Sequence, residues 1–440
     1  MNQLQLFLPC AAGVEDYLAR EAQRITGLPE RDVQKQRGGV ALRCSWRDAL
    51  QLNLYSRLAQ RVLVLLSFTE YRNEQDLYRA ASEVAWEAWF TPRESIKVEV
   101  TAQHSPLTSL NFAALRIKDA VCDRFRVKAG GVRPDVNTER PDVRIYTHLS
   151  TDSCSLYIDT SGEALFKRGW RQDKGEAPLK ETLAAAMIAA SGWSDGDADL
   201  RPLYDPCCGS GTIAIEAAQI ACNIAAGSTR RFAFENYLPF QKHVWDAIKQ
   251  EAQAAEVVRA PGQQPIIFGS DVAHRMVDFA QRNAERAGVA DVIEFRGGDA
   301  LQRMPPCDTP GIMLLNPPYG ERIEVAGVAG AGRSVQHSVR RIEADAQEGR
   351  WGARELPQSE NGGEFFGQLA AHWKKNYPGW SAWILTPDLK LPGKMRLKES
   401  RRVPLWNGPI ECRLFRFDMV AGKMGSDHPT KTGSDPNSGQ

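Results

Sequence analysis

The sequence predicts an α/β protein: a doubly wound, mostly parallel sheet in the C-terminal part, preceded by two smaller α+β units. Three observations carry that expectation. At 440 residues the chain exceeds one domain of roughly 100 to 200 residues, so about three folding units are expected. From about residue 178 onward, short apolar runs alternate with helical patterns, as in strands joined by crossover helices. Before that point two groups of strands and helices occur, one in the first 60 residues and one between about 94 and 160.

In order, LQLFLPC, GVEDYLAREAQRIT, GGVALRC and WRDALQLNLYSRLAQRVLVLLSF read as a small β-α-β-α layer, with Val14, Leu18 and Ile25 on one helical face. The second group is a strand, SIKVEVTA, a helix, LNFAALRIKDAVCDRFRVK, and two strands, DVRIYTHL and CSLYIDT. On that helix Ala113, Ile117, Val121 and Phe125 recur every four residues, and Lys118, Arg124, Arg126 and Lys128 stay off the stripe. Val143, Ile145 and Leu149 alternate with Arg144, Tyr146 and His148, the period of a half-buried strand. A charged link, FKRGWRQDKGEAP, leads to the helical LKETLAAAMIAASG. The third unit offers PLYDPC, IIFGSD, VIEFRGGD, GIMLLNPPY, SAWILTPD and CRLFRFDMV as strands. Residues 325–363 and the tail from 422 are poor in large apolar residues and are expected to be flexible.

Composition narrows the function classes. With 42% hydrophobic and 25% charged residues the chain is an ordinary globular protein, which excludes whole-chain disorder and a collagen-like fibre. Lys and Arg number 55 against 54 Asp and Glu, so any nucleic-acid contact has to be local. No apolar run of membrane-spanning length and no signal-peptide pattern occurs, so a cytoplasmic protein without a membrane partner is expected. Nine cysteines without a C-x-x-C pair and seven scattered histidines predict reduced thiols and no metal.

The sharpest motif is LYDPCCGSGTIAIEAA at 203–218: strand, carboxylate, Gly-x-Gly turn, small-residue helix. Gly209 and Gly211 permit a tight turn and close approach of a ligand, and Thr212 leads into an electropositive helix N-terminus. The third glycine of a dinucleotide fingerprint is missing, and no G-K-[ST] of a P-loop follows. Three further strands end in polar groups. Asp271 suits ribose hydroxyls, Asp299 suits an adenine amine, and Asn316-Pro317-Pro318-Tyr319 suits a planar exocyclic amine. Prolines stiffen that last loop and leave its carbonyls as acceptors, and Tyr319 can stack on a base.

Asp205-Pro-Cys-Cys-Gly-Ser-Gly-Thr212 with Glu216, Asp271, Asp299 and N-P-P-Y in that order resembles the class I S-adenosylmethionine-dependent methyltransferases of exocyclic amines. The closer resemblance is to the THUMP-domain 23S ribosomal RNA guanine-N2-methyltransferases, and it extends over APLKETLAAAMIAASGW, IAAGSTRRFAFENY and residues 133–171. It implies a Rossmann-like methyltransferase sheet at 166–421, a ferredoxin-like region at 1–55, a THUMP RNA-binding domain at 56–165, a flexible insertion at 325–363 and a disordered tail at 422–440. S-adenosylmethionine would be held by Asp205, Cys207, Gly209, Ser210, Gly211, Thr212, Glu216, Asp271 and Asp299, with Lys180, Glu181 and Thr182 beside it. Asn316 to Tyr319 would hold the guanine amine, and the RNA partner would be 23S ribosomal RNA or a large-subunit precursor. Lys118, Arg124, Arg126, Lys128, Arg133, Arg144, Lys167, Arg168 and Arg171 are the expected RNA contacts. Some relatives continue into a second methyltransferase domain, which is not found in this sequence, so the stand-alone form is expected. A tRNA guanine-N2 or DNA adenine-N6 enzyme, or a non-catalytic assembly factor, are the alternatives.

Overall fold

The computed structural model describes residues 3–175, 178–193, 200–258, 264–317 and 361–420. Two seven-stranded sheets form the chain. The first is built from β1 (Leu4–Pro9), β2 (Val33–Gln36), β3 (Gly39–Cys44), β4 (Leu63–Glu70), β5 (Ile96–Ala102), β6 (Val143–Leu149) and β7 (Ser153–Asp159). Its spatial order is β2-β3-β1-β4-β7-β6-β5, antiparallel except for the β5–β6 pair. Because β1 pairs with β4, one sheet runs across the expected boundary near residue 55.

Helices α1 (Glu15–Thr26), α2 (Trp46–Tyr55), α3 (Glu74–Glu83) and α4 (Leu110–Lys128) accompany this sheet. The four-residue stripe of α4 is fully internal, with Ala113, Ile117, Val121 and Phe125 all buried. One expected helix is a helix and a strand. Residues 46–68 split into α2, closed at its start by the reciprocal Ser45–Asp48 capping box, and β4. The apolar run at 62–66 satisfies either period, and pairing with β1 and β7 decides for the strand.

The second sheet contains β8 (Leu203–Asp205), β9 (Ile267–Asp271), β10 (Ile293–Gly297), β11 (Ile312–Leu315), β12 (Ser381–Thr386), β13 (Arg401–Asn407) and β14 (Ile410–Asp418). Their order is β10-β9-β8-β11-β12-β14-β13, with β10, β9, β8, β11 and β12 parallel and β14 antiparallel to both β12 and β13. Helices α5 (Glu181–Ser191), α6 (Thr212–Ala221), α7 (Lys242–Ala254), α8 (His274–Arg286), α9 (Asn361–Asn376) and the short α10 (Leu391–Met395) belong to this part. The edge strand β13 was not expected, because its buried alternation is reduced to Val403 and Leu405 after Arg401 and Arg402 and around Pro404. Helix α9 begins at Asn361, so the last three residues of the expected flexible stretch are helical; the rest of it, and the tail, lie outside the described residues.

The two sheets are joined by the IAAGSTRRFAFENY segment. Gly227 N–H donates to Leu54 O (2.8 Å), Phe234 N–H to Thr160 O (3.0 Å) and Leu238 N–H to Trp89 O (2.8 Å). A Cβ at Gly227 would come within 3.0 Å of Asn53 O, so only glycine lets the backbones approach this closely. Trp46, Phe234 and Trp245 stack edge to face across the same seam.

Candidate active site

Strands β10, β9, β8 and β11 lie side by side and parallel, so their carboxyl ends open on one edge. Asp205 closes β8 opposite Gly269, and Asp271 closes β9 opposite Gly297. Asp299 stands just beyond β10, and Asn316 follows β11 immediately. Ligands bind at this edge of doubly wound sheets.

The turn after Asp205 has Gly209 at φ 52° and Gly211 at φ 86°, both in the left-handed region. A Cβ on Gly211 would sit 3.0 Å from the Ala280 Cβ, so this glycine also lets α6 pack against α8. A Cβ on Gly209 would meet nothing within 4 Å, which leaves that face open to a ligand. The carboxylates brace the loop. Cys207 N–H donates to Asp205 (3.1 Å), Gly209 N–H and Ala273 N–H to Asp271 (3.0 and 2.9 Å), and Leu301 N–H to Asp299 (2.9 Å).

Clustering these acids has an electrostatic cost. Burial, with Asp271 adding repulsion, pushes the Asp205 carboxyl up to about 8 against the pull of the Cys207 N–H. Burial also raises Asp271, and it drives the Cys207 and Cys208 thiols well above their ordinary value, so both stay protonated. Such an edge favours a cationic ligand, which returns the carboxylates to their ionised form.

A feature missed in the sequence is a strap behind the loop. The link read as a charged connector sends two side chains into the interior, Arg168 and Trp170, both 1% exposed. Arg171, expected at RNA, instead donates to Thr212 Oγ1 (2.7 Å), Ser210 Oγ (3.3 Å), Leu179 O (3.0 Å) and Glu181 (2.8 Å). The buried Asn283 of α8 ties Ser210 O (3.1 Å) to Asp173 O (2.8 Å). Arg168 and Arg171 stand in a run of charged residues around Gly169, so nothing in the pattern announced this role.

Two further expectations are corrected by burial. Glu216 does not face the loop opening: it is 0% exposed and binds Arg168 (3.0 Å) and Arg57 (3.1 Å). Burial works to raise its carboxyl, but the two guanidinium groups overcome this and hold it below the ordinary value. Arg168, expected to touch RNA, is committed to Glu216, Leu165 O and Arg57 O. Glu181 and Thr182 are buried at the start of α5, and Lys180 is exposed with its ammonium over the Phe166 ring.

The remaining basic residues divide by partner. Arg124 grips Glu87 through two bonds (2.6 and 2.7 Å), Arg144 pairs with Glu99 (3.0 Å), and Lys118 pairs with Asp119. Arg126 and Lys167 are exposed but paired with Asp123 and Glu163, whereas Lys128 and Arg133 are exposed with no carboxylate partner among the described residues. Pro317 is buried beside the half-buried Asn316; Pro318 and Tyr319 lie outside the described residues. Among the described residues no group of three or more His, Cys, Asp or Glu could hold a metal, and no helix is long and apolar enough to cross a membrane.

Comparison with known proteins agrees with this architecture. Residues 5–63 match the RlmL ferredoxin-like domain, 71–159 the THUMP domain, and 168–331 the RMKL-like methyltransferase domain. The chain is 34% identical over 427 residues to the ribosomal RNA large subunit methyltransferase K/L of Shewanella amazonensis, covering 97% of this chain and 54% of that one. The Aeromonas hydrophila protein of that name is 32% identical, with 96% and 55% covered. The chain thus spans about half the length of the curated relatives it matches. Among solved structures, SMU.472 complexed with SAH superposes with a TM-score of 0.77 at 26% identity, covering 97% of this chain and 100% of that one. A protein from Listeria monocytogenes, with the predicted activity of an N6-adenine-specific DNA methylase, gives 0.76 at 27% identity, with 95% and 96% covered. In chain order the protein therefore carries an RlmL ferredoxin-like domain, a THUMP domain and an RMKL-like, S-adenosylmethionine-dependent methyltransferase domain.

Proposed function

We propose that the chain transfers a methyl group from S-adenosylmethionine to the exocyclic N2 of a guanosine in 23S ribosomal RNA. The single observation that carries this reading is the adjacency of two strand ends: the acidic glycine loop after β8 and Asn316-Pro317 after β11. Asp205, Asp271, Asp299 and the loop backbone from Cys207 to Thr212 would hold the cofactor, with Lys180, Glu181 and Thr182 alongside. Once bound there, it would supply an electrophilic methyl group.

The chain's own task is to prepare the nucleophile. A guanine amine is a weak one, because its lone pair is delocalised into the ring. The Asn316 side-chain oxygen and the Pro317 carbonyl would accept its two hydrogens and favour the pyramidal nitrogen needed for attack. Pro318 would keep that carbonyl acceptor rigid, and Tyr319 would stack on the base, worth on the order of 1–3 kcal/mol. A paired guanosine has to leave its stack to reach the edge. Exposed Arg126, Lys128, Arg133 and Lys167 would position the RNA through phosphates.

The names of the K/L relatives support a ribosomal RNA substrate, and a cytoplasmic location goes with it. The domain division near residues 55, 165 and 421 belongs to the same proposal. A second reading, adenine-N6 methylation, draws on the Listeria protein and on N-P-P-Y, which suits either amine. The test is labelled S-adenosylmethionine with an unmodified 23S transcript, followed by nucleoside analysis. N2-methylguanosine is expected, and Asn316→Ala should abolish it while cofactor affinity stays within a fewfold. N6-methyladenosine would replace the proposal with the second reading, and binding without transfer would leave an assembly factor.

A further inference from the structure

The second sheet carries a charged surface that the cofactor loop does not use. We propose that the loop after β12, α10, the last turn of α9 and the start of β13 grip the phosphate backbone of the RNA substrate along a path leading away from the acceptor loop. This rests on the reading of RNA as substrate and adds a second contact surface to it. Between Lys374 and Arg402 the chain carries eight Lys and Arg against two Asp and Glu. Both acids are consumed locally: Asp388 pairs with Lys394 (2.8 Å) and Glu399 with Arg402 (2.5 Å). Glu411 and Asp418 on the neighbouring β14 are engaged by Arg413 and Arg416. Lys375, Lys390, Arg396, Lys398 and Arg401 remain exposed, with no carboxylate partner among the described residues.

Position gives these cations a role. Strand β12 lies parallel to β11 with Ile384 opposite Leu315, so the loop after Thr386, with Lys390, rises on the same edge as Asn316, and α10 then leads down to the last turn of α9 and to Arg401, which lies level with Arg416 and Trp383. The scaffold beneath is firm. Arg401 is stacked over the buried Trp383 at 5.9 Å, and Lys374 Nζ donates to Arg396 O (3.0 Å), fastening the turn where Arg396 takes a φ of 49°. Uncompensated cations in several directions suit a backbone of phosphates, which is recognised by charge and path and not by base identity. The surface stands on the catalytic sheet, apart from Arg126 and Lys128 of α4 on the other sheet, so the RNA would be held at two places.

The variant Lys375→Ala/Lys390→Ala/Lys398→Ala tests this, because none of the three side chains makes a hydrogen bond or ion pair among the described residues. An unmodified 23S ribosomal RNA transcript is the probe. Near 0.1 M salt its affinity should fall at least about tenfold, and the slope of log K against log salt should flatten by about 2, from roughly 0.7 per lost phosphate contact. KM for RNA should rise with kcat and the affinity for S-adenosylmethionine unchanged. Unaltered affinity and salt slope in a normally melting variant would overturn the proposal and leave these charges as protection of the β13 edge. Wild-type protein that binds RNA through this surface without transferring a methyl group would refute the activity and leave the surface standing.

Discussion

Raising pH from 6 to 8 should tighten S-adenosylmethionine binding through Asp205. In the folded chain without ligand its carboxyl titrates at about 8, against about 3.9 in the unfolded chain. Between those values the folded state holds a proton that the unfolded state has lost. Stability is therefore fully present below about pH 4 and declines as pH rises toward about 8, by at most about 1.4 kcal/mol per unit. A bound cation reverses the balance by favouring the carboxylate. With a pKa of about 8 the group is roughly nine-tenths protonated at pH 7, so binding there should release about 0.9 proton. Affinity should then climb up to about tenfold per unit between pH 6 and 8 and level off above. Titration calorimetry in buffers of different ionisation enthalpy reads both quantities. Asp205→Asn should bind more weakly at pH 8, lose the pH dependence, and melt higher than wild type at pH 8 without ligand. An affinity that is flat from pH 6 to 8.5 in the wild type would refute the reasoning.

Two predictions concern the supports of the site. Gly209→Ala and Gly211→Ala both place a side chain at positive φ, a cost of about 1–2 kcal/mol, but only Gly211→Ala also collides with Ala280. Thermal unfolding should show Gly211→Ala as the more damaging by a further 1–3 kcal/mol or so; equal losses would contradict the packing argument. Glu216→Gln leaves the buried Arg168 without its counter-charge and Arg57 with only Glu21 nearby, and should cost about 3–5 kcal/mol in urea unfolding. A loss below about 1 kcal/mol would mean that water or another acid reaches those guanidinium groups.

What could be read from residues alone depended on the range of the interaction. Asp205, Asp271, Asp299 and Asn316 were legible because each ends an apolar strand, and parallel strands bring their ends together. The buried stripe of α4 was legible for the same reason, since its period is local. Glu216 and Arg168 were not. They lie 48 residues apart, and only the tertiary fold reveals that they neutralise each other instead of serving ligands. Arg171 shows the same limit: beside Lys167 and Arg168 it looks like part of a basic surface, yet its guanidinium is spent on Thr212, Ser210 and Glu181. Strand β13 was hidden by its charges, which are what an exposed edge strand needs.

The seam of Gly227, Phe234 and Glu216 has a consequence for target choice. Backbone bonds and a buried carboxylate shared by two arginines do not slide, so the two sheets keep a set distance. If RNA is gripped on the first sheet, the catalytic edge of the second reaches it only one span away. The enzyme would then select its nucleotide as a ruler does, by length measured from an anchored helix, and the bases around the modified position would be free to vary.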